Sequence, residues 1–271
     1  PGLVQAGGTV TVVQDQKDFN IDDIDTRFLG KLYGSGFYNV KNNNSFTNEW
    51  TDSVNRPTLK TRLPERIFDI SKYPKMPPMP DMTWPYTIKT AKNTDYYWDL
   101  SNLVDESDPY NIKRVKVVDA GNSAGRIIFI DNQNYNNGIQ LNQINGPESD
   151  LPVTFIFSAL KPVVLTGTIT GNVRMFFAGD FQFGMGTETV AYNGLTMFMS
   201  NGDMKICSSI WSYKNNPGGG FLSSDKDITI VESASFQGQI QCRGNFKTSG
   251  LIQFNDSVLK APGFTVPKGM K

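Results

Sequence analysis

The chain has 271 residues, with 26 basic and 26 acidic side chains, no histidine and two cysteines. A formal charge of zero argues against a nucleic-acid binder that works by bulk electrostatics, and the missing histidine excludes a Ser-His-Asp triad, a Cys-His dyad and any histidine metal site. No run of 18 apolar residues is present to span a membrane, no signal peptide is visible, and a chain that opens on Pro1 reads as a processed or trimmed product.

Glycine and asparagine supply 25 and 24 residues, and both favour turns over helix interiors. With 12% aromatic residues the chain is too rich in core formers to be disordered. Many short strands joined by many turns are expected, giving an all-β protein.

Residues 1–55 read as β coils. LVQAGGTVTVV, from Leu3, places Ala6 and Gly7 at a small-plus-turn position, and KLYGSGFYNV, from Lys31, places Gly34 and Ser35 there. Between them DFNIDDIDTR carries Asp22, Asp23 and Asp25, a weak calcium candidate. The stretch lacks the glycine that a calcium loop uses at its sharp bend, so a solvated acidic turn is the expected reading.

Residues 56–112 break the pattern. Prolines 57, 64, 74, 77, 78, 80, 85 and 109 fall here, a density that interior strands do not tolerate. The segment reads as an insertion packed along the flank of the coils, with Trp84, Tyr86, Tyr96, Tyr97 and Trp98 needing apolar surface to cover. A short helix has room to form in YYWDLSNLVDES, from Tyr96.

Residues 113–258 hold the most informative feature, an internal repeat. FIFSALKPVVLTG, MFFAGDFQFGMG, MFMSNGDMKICSS, GFLSSDKDITIVES and QIQCRGNFKTSG each carry an extended approach, a small residue, a polar turn and a second alternating stretch. The small positions are Ser158, Ala178, Ser200, Ser223 and Cys242, a period near 20 of slightly variable length. That is the signature of a right-handed β-solenoid (β-helix), in which insertions go into corners while strands stay in register. A meander of hairpins is the alternative, but it has no reason to repeat a small residue at this period. Phe155, Phe157, Phe177, Met197, Met199, Ile228 and Ile240 are the expected interior.

Asp180, Asp203 and Asp227 fall two to four residues after the small positions, with Asn245 in the same place of the next coil. Stacked, they would form a carboxylate ladder. Clustered carboxylates serve some β-helical glycosidases and lyases, but Gly-Asp and Ser-Asp are also ordinary turn formers, and the turn is the expected reading. Cys207 and Cys242 sit two coils apart, ~9.6 Å of rise, which exceeds the ~7 Å Cα limit of a disulfide, so both are expected as free thiols. The loop SIWSYKNNPGGGF offers Trp211, Tyr213, Lys214, Asn215 and Asn216 either as a recognition surface for a sugar or a protein, or as a corner insertion whose Trp211 packs back on the coil. The tail, 259–271, with three lysines and two prolines, reads as a C-terminal cap or arm.

The order of features resembles a known family. A glycine-rich opening coil is followed by Met79, Pro80, Asp81, Tyr86 and Ala91, then RIIFID, then LTMFMSNGDMKI and FQGQIQCRGNF. This looks like the β-helical part of bacterial type IV pilus assembly and minor-pilin-like proteins of the PilX-related group. The amino-terminal hydrophobic helix of that group is not in this sequence. The resemblance implies an exported, non-enzymatic, cell-surface protein, a subunit or tip component of a filament. Its partners would be homo- or hetero-oligomeric filament subunits, with a surface glycan or host protein as a further contact, and it would need no cofactor. A carbohydrate-active β-helix enzyme or polysaccharide-binding surface protein, a bactofilin-like polymer and a phage surface solenoid are the other readings. Nothing at Pro1 and Gly2 guards the apolar edge that follows them, so the N-terminal end is the expected joint of the assembly.

Overall fold

The computed structural model describes residues 81–83, 87–99, 113–131, 138–158, 160–185, 195–208, 210, 219–231 and 234–254, together with five strands between Gly2 and Ser45. Among these residues there are 25 strands and no helix. Almost all pairing is parallel.

Three sheets run side by side. The first stacks Tyr96–Asp99, Ile127–Asp131, Val153–Phe157, Val173–Phe177, Leu195–Ser200, Gly219–Ser224 and Ser235–Cys242, and then continues with Gly2–Ala6 and Gly30–Tyr33. The second stacks Lys113–Val115, Ile139–Leu141, Val163–Leu165, Phe181–Phe183, Met204–Ile206, Ile228–Ile230 and Phe246–Thr248, followed by Val10–Val12 and Phe37–Asn39. The third holds Thr87–Lys89, Val117–Asp119, Ile144–Asn145 and Ile169–Thr170. From Thr87 to Phe183 the chain visits the three sheets in rotation, and the later described strands alternate between the first and second sheets, moving on one layer per circuit. This arrangement is compatible with a β-solenoid.

Alternation explains the strands. Val153–Phe157 and Val173–Phe177 each read buried, half-buried, buried, half-buried, buried along the chain, and the buried set points at one shared interior. Columns such as Ile88, Val118, Ile144 and Ile169 pass up the third sheet in register, each residue buried to 1% exposure or less. Trp98, Phe155, Phe157, Phe177, Phe181, Phe183 and Phe198 belong to the same core.

Several expectations change here. At the start of YYWDLSNLVDES the chain forms a strand, Tyr96–Asp99, whose Tyr96 and Trp98 belong to the core; residues 100–107, the remainder of that candidate helix, lie outside the described residues. Phe155, Phe157, Phe177, Ile228 and Ile240 are core residues, but Met197 and Met199 are not part of that cluster. Their register partners are Arg174 and Phe176, which alternate with the core positions, and it is Phe198 that aligns with Met175 and faces inward. Met197 and Met199 are nonetheless buried, on the outer side of the first sheet.

The small-residue column also shifts. Phe157 pairs with Phe177, Phe177 with Ser200, Ser200 with Ser224, Ser224 with Cys242, and Cys242 with Ala6. The column is thus Ser200, Ser224, Cys242 and Ala6, with phenylalanine below; Ser158 and Ala178 lie one residue past it.

The N-terminal strand is not an open edge. Gly2–Ala6 is paired on both sides, with Ser235–Cys242 below and Gly30–Tyr33 above. The layers built from the start of the chain therefore sit on the layers built from its end. An antiparallel strand lies at each extreme: Asn44–Ser45 on Phe37–Asn39 in the second sheet, and Asp81–Thr83 on Thr87–Lys89 in the third.

Candidate functional site: the aspartate corner

The first sheet hands the chain to the second through a corner that recurs from layer to layer: Phe177-Ala178-Gly179-Asp180, Ser200-Asn201-Gly202-Asp203, Ser224-Asp225-Lys226-Asp227 and Cys242-Arg243-Gly244-Asn245. The serine comes first. Ser200 Oγ donates to the Gly179 carbonyl below at 2.7 Å and accepts the Gly202 N–H of its own corner at 2.9 Å. Ser224 does the same with the Gly202 carbonyl at 2.7 Å and the Lys226 N–H at 2.9 Å. Each hydroxyl thereby shapes one turn and ties it to its neighbour.

The carboxylates complete the corner. Asp180 Oδ1 accepts the Asp203 N–H at 2.9 Å, Asp203 Oδ1 accepts the Asp227 N–H at 3.2 Å, and Asp227 Oδ1 accepts the Asn245 N–H at 2.7 Å. Where the chain turns, the strand ladder has no partner for these amides, and the acid below supplies one. The glycine in the turn is forced by the same geometry. A Cβ on Gly202 would run into the Asp180 carboxylate and its backbone N–H, and one on Gly244 into the Asp227 carboxylate.

The ladder is present, and through it each carboxylate ties its layer to the next. The three carboxyl groups stand in a single line on one edge, each with an oxygen committed to backbone. A glycosidase sets its two carboxyls on opposite sides of the bond it breaks. Asp180 and Asp203 are exposed and Asp227 half-buried, with Arg243 paired to the neighbouring Asp225 at 3.2 Å.

Cys207 and Cys242 are both buried and unbridged. Cys242 occupies the corner column at 0% exposure, with its thiol 3.6 Å from the Gly244 carbonyl. Burial pushes the Cys207 thiol up, and the Lys205 ammonium opposes that in part. Arg174, on the outer side of the first sheet, has its guanidinium pushed down by burial. Among the described residues no three Cys, Asp or Glu side chains gather as a metal site. No helix there is long and apolar enough to cross a membrane. Trp211, Tyr213, Lys214, Asn215 and Asn216, the acidic group Asp22, Asp23 and Asp25, and the 259–271 tail all lie outside the described residues.

One column of residues was not anticipated as a group from the sequence. On the outer side of the first sheet Tyr97, Phe129, Ile156, Phe176 and Met199 stack in register, an apolar column facing away from the core. Tyr97 and Phe129 stack at 5.2 Å, and the Tyr97 hydroxyl donates to Asp131 at 3.0 Å. Alternation within RIIFID and FIFSA held the signal, because both faces of those strands are apolar. Comparison with known proteins finds no match to a family model, a curated protein or a solved structure.

Proposed function

We propose that this chain is a right-handed β-solenoid that serves as a non-catalytic structural or adhesive subunit of an extracellular, pilus-like surface filament. The observation that carries the reading is how the repeated polar residues are spent. Asp180, Asp203 and Asp227, the strongest catalytic candidates in the sequence, each accept an amide of the next layer, so an architectural role suffices to account for their recurrence. The fold's regular product is a stack of parallel layers, and a stacked surface suits repeated contact with identical neighbours. The resemblance of the sequence to minor-pilin-like proteins supports the surface location.

Electron microscopy of native material tests the reading directly. Filaments carrying the protein support it, and a strictly monomeric protein absent from every cell-surface fraction overturns it. Screening plant, algal and bacterial polysaccharides for new reducing ends or unsaturated products tests the absence of catalysis. Cleavage that disappears in Asp180→Asn or Asp203→Asn would put the carbohydrate-active enzyme in its place.

A further inference from the structure

We infer that the upper edge of the Ser235–Cys242 layer is an exchange site, which accepts the N-terminal layers of a second copy of this chain in place of its own. The inference names the joint between copies. It rests on the filament reading only in taking a second copy as the occupant.

The topology supplies the first argument. Ser235–Cys242 is eight residues long and is shared by two strands on its upper edge. Leu251–Phe254, which follows it closely in the chain, pairs with Ser235 to Gly238, while Gly2–Ala6 takes Ile240 to Cys242. The hand-over falls at Gly238, whose φ of 149° suits glycine and whose Cβ would strike the Gly220 backbone below. In the second sheet Val10–Val12 sits likewise on Phe246–Thr248. The chain's own C-terminal segment thus covers half of the seat, and strands from the far end of the sequence cover the rest.

Covalent reach supplies the second. Asn44–Ser45 lies at one extreme of the pile and Asp81–Thr83 at the other. Ten strand spacings separate them, about 48 Å along the stack. In sequence 35 residues separate them, and a chain of that length spans at most about 115 Å, more than the distance required. Covalent length therefore permits pairing with the same chain or with a neighbour.

The third argument is what the seat contains. Ile240, Cys242, Phe246 and Thr248 are at 0% exposure, and their register partners above are Val4, Ala6, Val10 and Val12. If those strands lift, this apolar end loses its cover and its unpaired backbone faces water. Another N-terminal layer of identical register is the group that fits it. Closed and exchanged forms make the same contacts, so their ratio follows concentration against a tethered effective concentration on the order of millimolar.

Two full-length variants decide it. The first carries Ala6→Cys, Cys207→Ser and Cys242→Ser; the second carries only Cys207→Ser and keeps Cys242. Serine already occupies the Cys242 column at Ser200 and Ser224, so the background preserves the corner. The two are mixed in denaturant, refolded together at rising total concentration, oxidised with diamide and resolved on a non-reducing gel. In this mixture a bond between position 6 and Cys242 forms only across chains. The expected result is a disulfide-linked heterodimer, about 1% of chains at 10 μM and comparable to the closed form at 1 mM. The single chain Ala6→Cys, Cys207→Ser should close on itself at low concentration. Gln5→Cys paired with Gln241→Cys, register partners one residue earlier, repeats the test in a Cys207→Ser, Cys242→Ser background should the first pair fail to fold. Self-closure with no cross-chain bond up to 1 mM overturns the inference, as does the absence of any bond from folded protein. Filaments without the cross-chain bond retire the exchange site alone; the bond without filaments in native material retires the filament reading alone.

Discussion

Phe177 is the side chain whose removal should hurt most, and the structure sets the scale. It is 1% exposed at the crossing of the first and second sheets. Its ring stacks on Phe181 with centroids 4.0 Å apart and planes 11° from parallel, and on Phe157 at 5.1 Å and 18°. Truncating a buried phenylalanine costs about 3–5 kcal/mol, and two lost ring pairs place Phe177→Ala at the upper end, ~5 kcal/mol. An unfolding entropy of ~2.1 cal/mol/K per residue gives ~0.57 kcal/mol/K for a chain of this length, so the melting temperature should fall by about 9 °C. Phe176→Ala is the control. That residue is adjacent in sequence, half-buried and on the outer column, and its loss should cost ~1 kcal/mol, about 2 °C. Thermal melts followed by circular dichroism read both. Equal shifts for the two variants, or a Phe177→Ala shift below ~2 °C, would refute the inward-outward register on which the fold description depends.

The corner makes its own predictions. Asp203→Asn keeps an acceptor for the Asp227 N–H and should be close to neutral, whereas Asp203→Ala should cost ~1 kcal/mol in urea titrations; equal costs would remove the carboxylate's stapling role. Gly202→Ala should destabilise by more than ~2 kcal/mol because its Cβ meets Asp180, while Lys226→Ala, at the matching position two corners above Gly179, should lie within ~0.5 kcal/mol of wild type. Cys207, raised by burial, contributes stability that is fully present below the unfolded thiol value of ~8.5 and is lost as pH rises through its higher folded value. Wild type should therefore lose stability relative to Cys207→Ser on going above pH ~8.5, and a parallel pair of pH profiles would show that the thiol is not buried.

The strands were legible because burial on one face imposes period two, and FIF, VRMFF and MKI obey it. The register was less so, and the reason is specific. Aligning the repeats on small residues matched Ser158 and Ala178 to Ser200 and Ser223, and left the aspartates two, three and four residues beyond. A stacked corner has one fixed length. Aligned on Gly179-Asp180, Gly202-Asp203, Lys226-Asp227 and Gly244-Asn245, every acid or its asparagine stands three residues after the column, which is the pairing the sheets adopt. The uneven spacing was the evidence that the wrong residue had been aligned. A hydroxyl that bridges layers is needed at Ser200 and Ser224, but Phe177 fills the same position in the layer below by packing, so composition at one site was a poor guide to register. The outer apolar column escaped for a related reason: IIFI and FIF are apolar on both faces, and period two cannot then say which face is inside.

The placement of the first layers could not be read from residues at all, and it separates them energetically from the rest. Consecutive layers of the pile pair residues about 18 to 32 positions apart, from Ser224 and Cys242 at the short end to Tyr96 and Ile128 at the long end. Val4 and Ile240 are 236 positions apart. Loop closure grows as three-halves RT times the logarithm of length, so seating the N-terminal layer costs about 2 kcal/mol more than adding a layer of equal contacts in chain order. The same strands have only one neighbouring layer from the rest of the molecule to hold them. In a stack stabilised by nearest-neighbour interfaces, a layer with a closure penalty and one such interface is the last to form and the first to leave. Backbone amides of Gly2–Ala6 and Val10–Val12 should then exchange hydrogen well before those of Val173–Phe177. That ordering is also the kinetic condition for exchange between copies, since a cap that opened only with global unfolding would never meet a neighbour's seat.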